Sequence, residues 1–398
     1  QRTLRATERT ECLFINKETL ELAVGKLSSI LEKDKIRRAR KNRISAARKT
    51  ASSMTFALLE DGDAKTHLPT SIEGIEVVGS IFSNPTNTVR LVAVKGVSPP
   101  VYLTLRTVSK QAVVDAGMQT HVCGERDIYV SLYDKNALVP HVCGINSNGT
   151  DIHYLYDTQI IGDLDTFLDG ESHGEPFVRY YAAQVVLALE FLHSEGIVSR
   201  TVDPTNLLID RSGNIRMLNL RLSKYVGRGR TYTVCGTPEY LSPEQIKGEG
   251  HNIAADYWAL GVLMYEMLCG HTPFSRERTD DLEILNRITS FNPDTMEWPE
   301  NTSAELKDII HKLLSPDLTE RLGYRDVKAN FAQNTCEVIK NHPFFAGTSW
   351  EATKVGSFAA PLEAAAAAEF RDVCARGTDQ GVNIGAAYAG DDEWLSGF

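Results

Sequence analysis

The chain has 398 residues, 42% of them hydrophobic and 24% charged, enough to bury one or two sizeable cores, since globular domains run roughly 100 to 200 residues. A net charge of −10 argues against a general nucleic-acid binder. Seven dispersed cysteines predict a reduced intracellular setting, cytoplasmic or cytoskeleton-associated, over a disulfide scaffold. A start without an apolar leader points the same way, and no run approaches the ~18 to 20 apolar residues of a membrane span.

At the N-terminus, Cys12 to Ile15 reads as a short strand. Asn16 offers an N-cap to a helix with Leu20, Ala23, Val24, Leu27 and Leu31 on one face. Lys33 to Lys49 holds nine Lys/Arg and one acid, Asp34, so this segment is +8 and the remainder −10 − 8 = −18. It gives way to a Ser/Ala/Thr-rich stretch and is expected to be a basic connector, either solvated or bound to an acidic partner. From about Ser71 the pattern is β-rich, with runs at Ile75 to Val78, Val89 to Val94 and Val101 to Arg106 bounded by Asn-Pro, Pro-Pro and Gly. After Glu175 the apolar spacing turns helical, over Phe177 to His193 and Ala255 to Leu268. A small β lobe before a helical lobe is predicted. The tetrapeptide His-Val-Cys-Gly, present at 121–124 and 141–144, lacks the usual zinc-ligand spacing and reads as coincidence.

The run Arg230 to Glu244 contains Gly236-Thr237-Pro238-Glu239, and Gly250 to Gly261 contains Asp256-Tyr257-Trp258. With Tyr180 to Gln184 and the terminal Trp394 to Phe398, these residues resemble protein kinases of the AGC class, closer to the cyclic-GMP-dependent than to the cyclic-AMP-dependent ones. The resemblance implies an α+β, bilobal kinase fold over 71–345 and a C-terminal tail over 346–398. A basic linker over 33–70 would precede it, after a 1–32 remnant of a cyclic-nucleotide-binding domain in which Arg2 matches the arginine that grips the cyclic phosphate. The resemblance also implies that Asp256 braces the catalytic loop, that Glu244 and Arg321 form a buried pair, and that Trp394 and Phe398 dock on the small lobe. Arg43-Ile44-Ser45 and Arg48-Lys49-Thr50 suit basophilic kinases or a pseudosubstrate role.

Phosphoryl transfer requires held phosphates, bridging metal ions and an oriented nucleophile, and at each requirement the matching residue is altered. The phosphate-covering loop becomes Gly79 to Thr88, about three residues longer, with one glycine and with Pro85 removing a donor. The lysine that the resemblance places on the third strand of the small lobe is Arg106, whose expected helix partner is Glu125. The base position is Thr201, the loop lysine is Asp203, the metal-binding aspartate is Asn219 and the glycine after it is Arg221, while Asn206 remains. Arg106, Glu125, Asp163 and Asn206 are the candidate nucleotide-binding positions. Phe370 to Val373 is a weak match to the tail segment that completes the family's nucleotide pocket.

Loss of a general base alone removes ~10² to 10⁴-fold in rate. A catalytically impaired pseudokinase acting as an allosteric, scaffold or binding module is therefore expected, with no cofactor, weak ATP binding and doubtful magnesium. A weak or atypical serine/threonine kinase, and a structural component bound through the basic linker, are the alternatives. Arg200 and Thr233 match a phosphate-receiving arginine and its acceptor, which an upstream kinase would modify.

Overall fold

The computed structural model describes residues 72–84, 86–132, 138–227, 229–275, 280–324, 336–376, 388, 390 and 393–395. Arg2, the 1–32 segment, the 33–70 connector, Pro85 and Phe398 lie outside the described residues. Two lobes are present, as the change from period 2 to period 3.6 predicts.

In the small lobe, β1 (Ile75–Ser83), β2 (Asn87–Val94), β3 (Tyr102–Ser109), β4 (Val142–Ser147) and β5 (Asp151–Tyr156) form an antiparallel sheet in the order β1-β2-β3-β5-β4. Strand alternation sorts its side chains. Leu103 and Leu105 join Ile75, Val92, Val94 and Leu155 in a cluster on one face. Arg106, one residue on, is paired in register with Val89 and Tyr154, and it turns to the other face. There α1 (Lys110–Asp115) and α2 (Gln119–Ser131) follow, with Val122, Ile128 and Tyr129 packed into the main core. Ser109 caps α1 by accepting from Ala112 N at 3.3 Å.

The large lobe begins with β6 (Ile160–Asp163) and α3 (Leu164–Leu168), then α4 (Glu175–Ser194). Short strands β7 (Ile197–Val198), β8 (Leu208–Asp210), β9 (Ile215–Arg216) and β10 (Lys224–Tyr225) come next. Because β7 pairs with β10 and β8 with β9, the loop 199–207 and the turn 217–223 are brought side by side. Helices α5 (Pro243–Ile246), α6 (Ala254–Cys269), α7 (Asp281–Thr289), α8 (Ala304–Leu313), α9 (Cys336–Lys340), α10 (Trp350–Val355) and α11 (Glu363–Arg376) complete the described elements. Helix α6 is buried on almost every side, Asp256 included, because it runs through the core. Gly261 lets it approach α8, since a Cβ there would lie 2.9 Å from Leu313 Cβ.

Arg321 closes the lobe. Its guanidinium donates to Glu244 at 2.7 and 2.9 Å, to Ala254 O at 3.2 Å and to Ser315 O at 3.0 Å, and it lies over the ring of buried Trp258. Burial works against the Glu244 charge, but the bonds from Arg321 prevail and hold this carboxyl below the usual glutamate range. Among the described residues, no helix is long and apolar enough to cross a membrane.

Candidate functional site

Asp256 fixes the loop that follows β7. Its Oδ2 accepts from Ser199 N at 2.8 Å and pairs with His193 Nε2 at 2.7 Å, while Oδ1 accepts from Arg200 N at 2.8 Å. Arg200 is thereby held in the left-handed region, at φ 61°. Past this brace, Thr201 turns inward and is 2% exposed. Its hydroxyl lies 3.0 Å from Ser199 Oγ and 3.4 Å from Asn219 O.

A chain of amides and one carboxylate fills the centre. Asn219 Nδ2 donates to Asn206 Oδ1 at 2.5 Å, and Asn206 Nδ2 donates to both oxygens of Asp203, at 2.9 and 2.8 Å. Asp203 also accepts from Asn206 N at 3.1 Å, Thr205 Oγ1 at 2.6 Å and Thr237 Oγ1 at 3.1 Å. The Asp203 carboxylate is therefore spent as an acceptor within the loop. Asn219 Oδ1 is buried without a partner.

Above this chain, Arg106 is committed through three hydrogen bonds. Nη1 and Nη2 donate to Glu125 at 2.7 and 3.1 Å, and Nε donates to Asn87 Oδ1 at 3.2 Å. Burial disfavours its charge, but Glu125 more than compensates and holds Arg106 well above the ordinary arginine value. Glu125, with no exposed surface, also accepts from Leu220 N at 3.1 Å, tying the 219–221 turn to α2. Arg221 sits in the same charge cluster. Burial first, then the neighbouring Arg106, lowers its pKa against the pull of Glu125, and its Nε and Nη1 are buried without partners.

The segment Gly79 to Thr88, expected to cover phosphates, is a closed hairpin. Phe82 pairs with Val89 and Ser83 with Thr88, and Asn84 Oδ1 accepts from Thr86 N at 3.0 Å and Asn87 N at 2.8 Å. Those two backbone donors are already used by protein. Asp163, the remaining nucleotide candidate, caps α3 by accepting from Thr166 N and Oγ1 at 2.8 and 2.7 Å.

Thr233 is exposed, between exposed Tyr232 and Val234. Arg200 directs Nε to Leu222 O at 2.6 Å and leaves Nη1 buried and unpartnered. Two residues that sequence reasoning missed belong here. His121 on α2 has a buried unpartnered Nδ1, and its pKa is lowered by burial and then by Arg200, Arg221 and Lys224. The His-Val-Cys-Gly repeat singles out His121 without giving it this place, and nothing local marks Lys224, since both stand far from Arg200 in the chain. In the tail, Trp394 O accepts from Cys123 Sγ on α2 at 3.1 Å, which places Trp394 on the small lobe. No group of three or more His, Cys, Asp or Glu among the described residues is placed to hold a metal.

A model of the protein kinase domain matches residues 91–345. Human cGMP-dependent protein kinase 2 is 30% identical over 368 residues, covering 88% of this chain and 46% of that protein. The cAMP-dependent protein kinase catalytic subunit-like protein of Caenorhabditis elegans is 32% identical over 250 residues, covering 63% of this chain and 59% of that protein. The cAMP-dependent protein kinase catalytic subunit of Dictyostelium discoideum is 34% identical over 251 residues, covering 63% and 36%. The chain spans about half the length of the curated relatives that it matches most broadly. With a β-sheet lobe, a helical lobe and a braced loop between them, the chain belongs to the protein kinase domain family and is homologous to the cyclic-GMP- and cyclic-AMP-dependent AGC kinases.

Proposed function

We propose that this chain is a catalytically impaired kinase homologue, a pseudokinase whose kinase-shaped body works as an allosteric, scaffold or binding module. The observation that carries this reading is the relay from Asn219 through Asn206 to Asp203. A divalent cation does not fit these residues. Magnesium favours carboxylates together with phosphate oxygens, whereas Asn206 Oδ1 is occupied by an amide and both Asp203 oxygens take donors from within the loop. What remains is one neutral oxygen, Asn219 Oδ1. Thr201 cannot accept a proton at neutral pH, and its hydroxyl is turned into the loop. The test is transfer from radiolabelled ATP to a basic peptide, with magnesium, by the purified chain. Robust transfer that is lost on Asn206→Ala would overturn the proposal, and background-level transfer supports it.

A second reading, a weak or atypical ATP-dependent kinase, draws on the unpartnered Nε and Nη1 of Arg221 beside Arg106. In it, guanidinium groups neutralise phosphates in place of a metal. ATP-induced thermal stabilisation in EDTA, lost in Arg221→Ala, would support it, and no shift with any nucleotide would remove it.

In either case Thr233 is the regulatory position. A phosphate there would pair with Arg200 and order the segment through charge-assisted hydrogen bonds. A different kinase supplies it under the first reading.

A further inference from the structure

The tail helix α11 lies across the side of the cleft between the lobes. It packs against β1, which carries Gly79, and against β6, which ends on Asp163. Its sequence explains both the helix and the docking. Ala364 to Ala368 supply high helix propensity, and Leu362, Ala366, Phe370 and Val373 recur at spacings of four, four and three, a single apolar stripe. All four are buried.

The lower end is fixed to the large lobe. Leu362 N donates to Tyr181 Oη at 3.1 Å, and a Cβ on Gly213 would lie 2.7 Å from Glu363 N. Midway, Phe370 meets Tyr102 of β3 edge-on at 5.3 Å, and the Arg211 guanidinium stands 4.1 Å from its ring centroid. At the upper end Val373, 1% exposed, closes over Gly79. A Cβ at Gly79 would come 2.5 Å from Val373 O and 2.7 Å from Val373 Cγ1. Glycine is needed there for the close approach of another backbone. The one glycine that survives in the expected phosphate-covering segment thus receives the chain's own tail.

We propose that α11 is an autoinhibitory strap, which spans both lobes beside the nucleotide entrance and must swing away before a nucleotide enters. This inverts the expectation that Phe370 to Val373 completes a nucleotide pocket, and it does not depend on whether the chain transfers phosphate. If the open form is a minor population, apparent affinity falls in proportion to that fraction. Any change that favours release then tightens nucleotide binding.

Three changes to the full chain test this. Val373→Asp and Phe370→Ala weaken the docked face, and Gly79→Ala pushes the strap off from the opposite side. Binding of a fluorescent methylanthraniloyl-ADP is measured with EDTA and with magnesium, and hydrogen exchange is followed over residues 363–376, with far-UV circular dichroism confirming that each variant is folded. The expected result is faster exchange over 363–376 in all three, and binding at least tenfold tighter in Val373→Asp and Phe370→Ala than in the parent. Unchanged or weaker binding in those two variants, including no binding in variant and parent alike, would overturn the strap. So would increased protection of 363–376 in the parent on adding ADP, because a helix that completes a pocket gains order when the pocket fills.

Discussion

Glu266 and His251 make the stability of this chain a balance of two opposed titrations. Burial raises the Glu266 carboxyl from an ordinary 4.5 to about 7, with Glu239, Asp165 and Asp203 adding to the rise and the bond from Tyr240 opposing it. Its folded-state pKa is raised, so its contribution is fully present below about pH 4.5 and is lost as pH rises through about 7. Burial, then the Arg200 charge, lowers His251 from 6.5 to about 4, and its Nε2 is buried without a partner. Its folded-state pKa is depressed, so its contribution is present above 6.5 and lost as pH falls through about 4. Each shift spans about 2.5 units, a ceiling of about 3 kcal/mol at 1.36 kcal/mol per unit. The two windows overlap almost completely, so the thermal midpoint of the parent should vary little from these groups between pH 4.5 and 7. Glu266→Gln keeps an acceptor for Tyr240 and removes one titration. The variant should then lose stability on acidification: pH 7 to 5 crosses about 1.5 units of the His251 window, about 2 kcal/mol, or about 4 °C if a kilocalorie shifts the midpoint by about 2 °C in a domain of this size. The assay is differential scanning fluorimetry of both proteins across this range. Parallel pH profiles for parent and variant would refute the assignment of a raised pKa to Glu266.

Three further outcomes follow from the same structure. Arg321→Ala strands the buried Glu244 carboxylate and should cost about 3 to 5 kcal/mol in urea unfolding, as breaking a buried pair does, with Arg321→Lys recovering only part of it. Glu125→Ala strands Arg106 and removes the acceptor for Leu220 N, so a similar loss is expected. Faster hydrogen exchange in the 219–222 turn would separate it from a general loosening. Asn219→Asp combined with Arg221→Gly restores an anion and removes a cation. It should confer a magnesium-dependent thermal shift with ATP that the parent lacks, and an equal shift in both proteins would count against the role given to these two residues.

The lobes, their order and several residues of the site are legible in the sequence because each rests on a local regularity. Alternation marks β1 to β3, helical spacing marks α4 and α6, and the motifs single out Asp256, Glu244 and Arg321, whose side chains bond Arg200 N and one another. The identities Asn219, Arg221, Thr201 and Asp203 likewise state by themselves which charges have changed. Sequence does not state where a side chain spends its hydrogen bonds. That Asp203 is consumed by Asn206, Thr205 and Thr237, or that Asn84 takes the amides of Thr86 and Asn87, depends on loop curvature fixed by Asp256 and on the β1–β2 register. His121 joins Arg200 and Lys224 only because α2 packs over the large lobe. Val373 meets Gly79 across nearly 300 residues, a proximity that no periodicity encodes, because it arises when an apolar stripe far along the chain packs against a glycine whose bare backbone can receive it.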